Sequence, residues 1–239
     1  MAVLEVFFVR HGLSCANVLG KKKFGHQYFY SDPELSEEGI KISKSLSDKL
    51  VEHIYERWPK RAHTYTICSS QMMRAQETAF YMLASRSGDV KPINVVPHLG
   101  EIGISKDTYS MPIENQYEIL ANRNPAIVRQ LLNGKDAREE QDILNKSHMG
   151  KFLKWAKENL GFFHLGEDGV YRTVIFTHGF LLKRVFQLDD HMNNNDAIYT
   201  KINLDDADLT RMRKDMIYYR LNKSTSLGLC PDKCRITTC

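Results

Sequence analysis

Four short runs of the chain, residues 4–9, 65–68, 93–96 and 173–176, are almost wholly apolar and rich in β-branched and aromatic side chains. At most one strongly polar residue (Glu5, Asn94) interrupts each, and none alternates strictly. Strands covered on only one face alternate; strands covered on both do not. The intervening segments carry a helical period instead. In residues 36–58, Ser36 precedes a charged turn, and Ile42, Leu46, Leu50 and Ile54 recur at helical spacing, so a helix is expected there. Further helices are expected at 72–85, 148–160 and 180–188. Strand and helix in this alternation predict an α/β fold, a three-layer α/β/α sandwich with a mostly parallel central sheet. Residues 197–204 and 216–221 read as two more strands, a hairpin at one edge. Residues from about 100 to 147 break the alternation with Asn, Pro and charge clusters around a possible helix at 115–132. They are expected to form an insertion capping the strand C-termini. A single domain over 1–222 follows, with 223–239 as a flexible tail.

Composition narrows the class. The 239 residues are 42% hydrophobic and 26% charged, with a net charge of +4. That mild positive balance suits an anionic substrate and is too weak to argue for nucleic acid. The first ten residues lack the pattern of a secretory signal, and no apolar run approaches a membrane span, so no membrane partner is expected. Five cysteines, three of them in the tail (Cys230, Cys234, Cys239), do not resemble a disulfide framework, and a reducing, cytoplasmic setting is expected. Oligomeric state has no readable signal.

Ligands of open α/β sheets bind outside the carboxyl ends of the strands, so the residues following each run are the candidates. Arg10, His11 and Gly12 follow the first; Ser69, Ser70 and then Arg74 the second; Glu101, within PHLGEIG, the third; Thr177, His178 and Gly179 the fourth. Two histidines, two arginines and a carboxyl group converge on one edge. A neutral imidazole can attack phosphorus, paired guanidiniums can hold the equatorial oxygens, and a carboxylic acid can protonate a departing alkoxide. The histidines lack paired metal-ligand spacing such as H-x-x-x-H, so no metal is assigned.

These residues lie in RHGLSCAN (10–17), DPELSEEG (32–39), SSQMMRAQETA (69–79), LGE (99–101) and THG (177–179). In that order, they resemble the histidine phosphatase superfamily, on the branch that includes cofactor-dependent phosphoglycerate mutase. The resemblance spans residues 4–188. It implies His11 as nucleophile through a transient phosphohistidine, with Arg10, Arg74 and His178 gripping the phosphate and Asn17 assisting. It implies Glu101 as proton donor and later base, because Gly179 stands where a second branch places its aspartate. No cofactor or metal is implied. The phosphorylated substrate, a small molecule or a phosphopeptide, is the expected partner. Lys21, Lys22 and Lys23, just beyond the nucleophile, form either a solvated loop or a weak substrate-recruiting run. Where the mutases continue after their acid with residues that grip a carboxylate, this chain has EIGISKDTYS with nothing equivalent. The expected activity is therefore phosphomonoester hydrolysis. A phosphoglycerate-type mutase and a catalytically silent phosphate-binding module are the alternatives.

Overall fold

A computed structural model describes residues 2–22, 30–58, 64–86, 91–103, 105–138, 148–206 and 208–222, with the side chains of 20–22 left out. The tail, the three tail cysteines, Lys23 and the side chains of Lys21 and Lys22 therefore lie outside the described residues.

Seven strands make one sheet: β1 (Val3–Arg10), β2 (Thr66–Ser69), β3 (Ile93–Val95), β4 (His164–Leu165), β5 (Val170–Thr177), β6 (Ala197–Asn203) and β7 (Ile217–Tyr219). Their spatial order is β3-β2-β5-β1-β6-β7, with the short β4 beside β5. The four runs read from sequence are the parallel core β3-β2-β5-β1. β6 joins β1 antiparallel and β7 joins β6 antiparallel at the edge. The expected hairpin is thus a pair of neighbours, but it is not closed by a tight turn: helix α9 (Leu209–Lys214) lies between its strands.

The remaining helices are α1 (Cys15–Lys22), α2 (Glu37–Ser45), α3 (Ser47–Arg57), α4 (Met73–Ala79), α5 (Ile113–Arg123), α6 (Pro125–Leu132), α7 (Met149–Glu158) and α8 (Gly179–Phe186). They cover both faces. Phe7 and Val9 of β1 enter a core shared with Leu50, Ile54, Leu120 and Ile127 from α3, α5 and α6. Leu4, Val6 and Phe8 enter the opposite core with Phe152, Leu153, Leu181 and Leu182 from α7 and α8. Successive residues of β1 thus point to opposite sides and still meet apolar neighbours, so its sequence reads as one run.

Three helical segments differ from expectation at a point with a local cause. The segment after Ser36 is two helices meeting at Leu46, and Ser36 caps the first by accepting the Gly39 N–H at 3.0 Å. The expected helix at 72–85 is α-helical only to Ala79 and continues as a π-turn, Phe80–Ala84, whose Met82 carbonyl accepts the Ser47 hydroxyl at the head of α3. The helix expected at 115–132 is divided at Asn124–Pro125. Proline brings no N–H to continue α5, while the Asn124 side chain accepts from Ala126 N–H at 3.1 Å and starts α6.

The insertion does reach the strand ends, where the Asp107 carbonyl accepts from Arg74 at 2.9 Å. Its helices also serve the core, where Leu120, Ile127 and Leu131 are fully or almost fully buried. Among the described residues, no helix is long and apolar enough to cross a membrane.

Candidate active site

The carboxyl ends of β1, β2 and β5 are laced together before any side chain is considered. His11 N–H donates to Thr177 O, Ser70 N–H to Phe176 O, and Val96 N–H to Ser69 O, each at 2.9 Å. The Thr177 hydroxyl reaches Leu99 O at 2.7 Å and ties down the loop that carries Glu101. A fifth tie fixes α4, since Thr78 Oγ1 accepts from Gly12 N–H and donates to Arg74 O. Sequence-distant residues are thereby held at one edge by backbone and threonine-hydroxyl bonds, which are short-ranged and directional.

Four of the candidates, His11, Glu101, His178 and Arg74, come together there. The His11 and His178 rings lie 5.2 Å apart, and ligand atoms of His11, Glu101 and His178 all fall within 4.8 Å of one another. His11 is buried, and its Nδ1 lies 2.7 Å from the Gly12 carbonyl. A carbonyl only accepts, so Nδ1 carries the proton and Nε2 keeps its lone pair. Arg74 Nε donates to that lone pair at 3.2 Å. His178 Nε2 is 2.8 Å from the Ser70 hydroxyl, and its Nδ1 is 4.0 Å from Glu101 Oε2.

Arg10 approaches from the other side, donating through Nη1 to Met192 O. It crosses directly above Gly179, where a Cβ would stand 2.7 Å from the arginine Nε. Among the described residues, Arg10 Nε and His178 Nδ1 are buried without a hydrogen-bond partner. Buried polar groups are rarely left so, and a bound anion would give both a partner.

Burial lowers the pKa of His11 well below the ordinary imidazole value, and Arg74 and Arg10 push it the same way. His178 is lowered well below the ordinary value too, by burial and then by Arg74 and His11. Both rings are neutral at physiological pH. Burial raises the Glu101 carboxyl above its ordinary value, against the pull of Arg74 and the Ile102 N–H. The site therefore holds two neutral imidazoles, two fixed cations and a carboxyl group biased toward its acid form. A histidine–histidine–carboxylate trio can ligate a metal ion elsewhere, but two adjacent guanidiniums favour an anion in this one.

Asn17 is engaged differently from the others. Its Oδ1 accepts from Ser14 N–H while Ser14 Oγ accepts from Asn17 N–H, both at 3.3 Å, a reciprocal cap at the start of α1. The DPELSEEG segment is supporting structure: Ser36 donates to Leu13 O, and Gly39 packs so closely on that carbonyl that a Cβ would stand 2.1 Å from it. Asp32 is fully buried and accepts from Met73 N–H (2.9 Å) and Met111 N–H (3.1 Å), which fixes the first turn of α4 beneath Arg74. Burial pushes its carboxyl up to about 6.

Sequence reasoning missed the loop 192–196. Asn194 Nδ2 donates to His11 O (3.0 Å) and Gly12 O (3.1 Å), Asn195 N–H donates to Arg10 O, and Met192 O receives the Arg10 guanidinium. Its run of three asparagines was the available signal, since asparagine tolerates left-handed backbone and Asn195 has φ +68°. Ser70 was seen only as part of a motif, not as the partner of His178.

Several solved structures share the general outline. A mycobacterial glucosyl-3-phosphoglycerate phosphatase is 17% identical, with 90% of this chain and 97% of that one covered and a TM-score of 0.47. A phosphoglycerate mutase from Bacillus anthracis is 14% identical, with 85% and 89% covered and a TM-score of 0.48. A phosphoserine phosphatase from Entamoeba histolytica is 18% identical, with 82% and 90% covered and a TM-score of 0.40. No curated protein matches the chain in sequence. The family model of the histidine phosphatase superfamily (branch 1) matches residues 6–215, well over half of the chain, and the chain belongs to that superfamily.

Proposed function

We propose that this chain is a phosphomonoester hydrolase working through a phosphohistidine on His11 and needing no metal. Superfamily membership supports a phosphatase- or mutase-type enzyme. The observation that carries this reading is the state of His11, a neutral ring whose Nδ1 is tied to Gly12 O and whose Nε2 lone pair faces Arg74 beside His178. On substrate binding, the Arg74 N–H passes from Nε2 to a phosphate oxygen, and Arg10 and His178 take the others. Nε2 then attacks phosphorus, the bond from phosphorus to the leaving oxygen breaks, and Glu101 gives that oxygen its proton. Water attacks the phosphohistidine and Glu101, now a carboxylate, takes the water's proton. The P–N bond breaks, its electrons return to Nε2, and inorganic phosphate leaves with the enzyme restored.

The segment after Glu101 favours hydrolysis over mutase chemistry, because EIGISKDTYS offers no arginine and only Lys106 to hold a carboxylate-bearing phosphate for re-transfer. The test is turnover of phenyl phosphate by wild type and His11→Ala with excess chelator, coupled to alkaline-quench trapping of phosphohistidine. Chelator-resistant turnover and a trapped phosphoenzyme, both lost in the variant, are expected. Turnover surviving in His11→Ala would overturn the assignment of the nucleophile, and phosphate exchange only with a bisphosphate primer would favour the mutase.

A further inference from the structure

Beside the site, an open groove of about 490 Å³ runs along α8, lined by Ile102, Phe180, Lys183, Arg184, Gln187 and Leu188. We propose that it is the leaving-group subsite, and that it selects phosphomonoesters of an extended alcohol with an aromatic or alkyl body and a second anionic group at its far end. The inference rests on the hydrolase reading and adds the substrate class to it.

Three observations carry it. Two of its lining residues adjoin the catalytic groups along the chain: Ile102 follows Glu101, whose Oε1 accepts the Ile102 N–H at 3.0 Å, and Phe180 follows Gly179, the residue Arg10 crosses. The proposal places the carbon substituent of a leaving oxygen protonated by Glu101 against Ile102 and Phe180. Second, Phe180 is 57% exposed, and its ring meets His191 edge-on at 5.4 Å. Leaving an aromatic side chain in water forfeits most of its transfer free energy, which an apolar ligand body would recover. Third, the lining among the described residues is cationic, with Lys183 and Arg184 and no acidic side chain. Arg184 is one helical turn beyond Phe180 and exposed, while Lys183 is steadied by Asp189 O at 3.1 Å. An apolar wall followed by two cations fits an apolar body ending in a carboxylate or phosphate. A groove of this volume is also oversized for a three-carbon leaving group.

The test compares kcat/KM for phenyl, 4-biphenylyl and 4′-carboxy-4-biphenylyl phosphate in wild type, Phe180→Ser and Arg184→Glu. The phenols differ little in acidity, so the chemical step is held nearly constant. In wild type, the second ring raises kcat/KM about tenfold, and the carboxylate adds roughly threefold more. Phe180→Ser removes the first increment, and Arg184→Glu removes or reverses the second. Values within twofold across the three substrates in wild type, or increments that survive both substitutions, would overturn the proposal. Calorimetric binding of the same compounds to His11→Ala runs in parallel. If wild type turns none of them over, the hydrolase reading falls, and the affinity ratios still decide the groove, with equal affinities ruling against it.

Discussion

Replacing Gly179 with alanine adds one methyl group beneath the side chain that reaches over it. The new Cβ would lie 2.7 Å from Arg10 Nε and 3.0 Å from its Cδ and Cζ. Comfortable contact between such atoms begins near ~3.5 Å, so the guanidinium must retreat by on the order of 1 Å. What yields is the end of a flexible side chain, so the fold is spared. Alanine at this first position of α8 lowers the entropy lost on folding and adds up to about 0.5–1 kcal/mol of stability. The retreating group, however, is one of the two arginines proposed to grip the phosphate, and it is also pulled from Met192 O. A misplacement of about 1 Å at a positioning group costs on the order of 100-fold in rate, or about 2.7 kcal/mol of transition-state stabilisation. Gly179→Ala should therefore stay folded with a urea midpoint close to that of wild type, the alanine gain and the strained Met192 O hydrogen bond offsetting each other to within about 1–2 kcal/mol, and lose between about tenfold and 100-fold in kcat/KM for phenyl phosphate. A variant of unchanged stability and kcat/KM within threefold of wild type would refute the placing of Arg10 on the phosphate.

Two further outcomes follow from the buried carboxyl groups. Because burial raises the Glu101 pKa, its acid form persists to higher pH, and kcat/KM for an alkyl phosphate should fall as pH rises through that raised value. Glu101→Gln should lose this limb and cost an alkyl phosphate at least tenfold more than 4-nitrophenyl phosphate, whose leaving group needs no proton; equal losses for both would remove Glu101 from the acid's role. Glu77 is fully buried, accepts from Leu35 N–H and Arg123 Nε at 2.6 and 2.7 Å, and is pushed by burial up to about 7. A carboxyl raised in the native state binds its proton more tightly there, so its contribution to stability is present at acid pH and is lost as pH climbs from the unfolded value, near 4.5, to about 7. That decline is roughly 3 kcal/mol, and urea titrations from pH 4.5 to 7.5 should show it in wild type and much less of it in Glu77→Gln; parallel pH profiles would contradict this account of the pair.

The sequence by itself determined the sheet's parallel core, because strands buried on both faces have to be apolar at every position, whichever way each side chain points. It also pointed to the candidate site, since the ends of those strands are where an α/β sheet meets its ligand: His11 and His178 follow β1 and β5 directly, and Arg74 and Glu101 come a few residues after β2 and β3. A helix start was legible where a side chain caps it at Ser36, whereas the sequence pattern ran through the cap at Asn124 as one helix. Only the tertiary structure decided what depends on residues distant in sequence. Leu46 looks like any other position of one amphipathic stripe, and the break there goes with the bond from Ser47 to the π-turn at Met82. The burial of Asp32 and Glu77 is equally invisible, because their partners Met111 and Arg123 come from an insertion whose docking no local pattern encodes. The loop 192–196 lies some 180 residues from Arg10 and His11 and holds them by backbone carbonyls and asparagine amides, groups whose identity says little until the chain brings them close. The groove along α8 is the last case. Phe180, Lys183 and Arg184 read as an ordinary helix surface, and only the approach of Ile102 makes them one wall of a site.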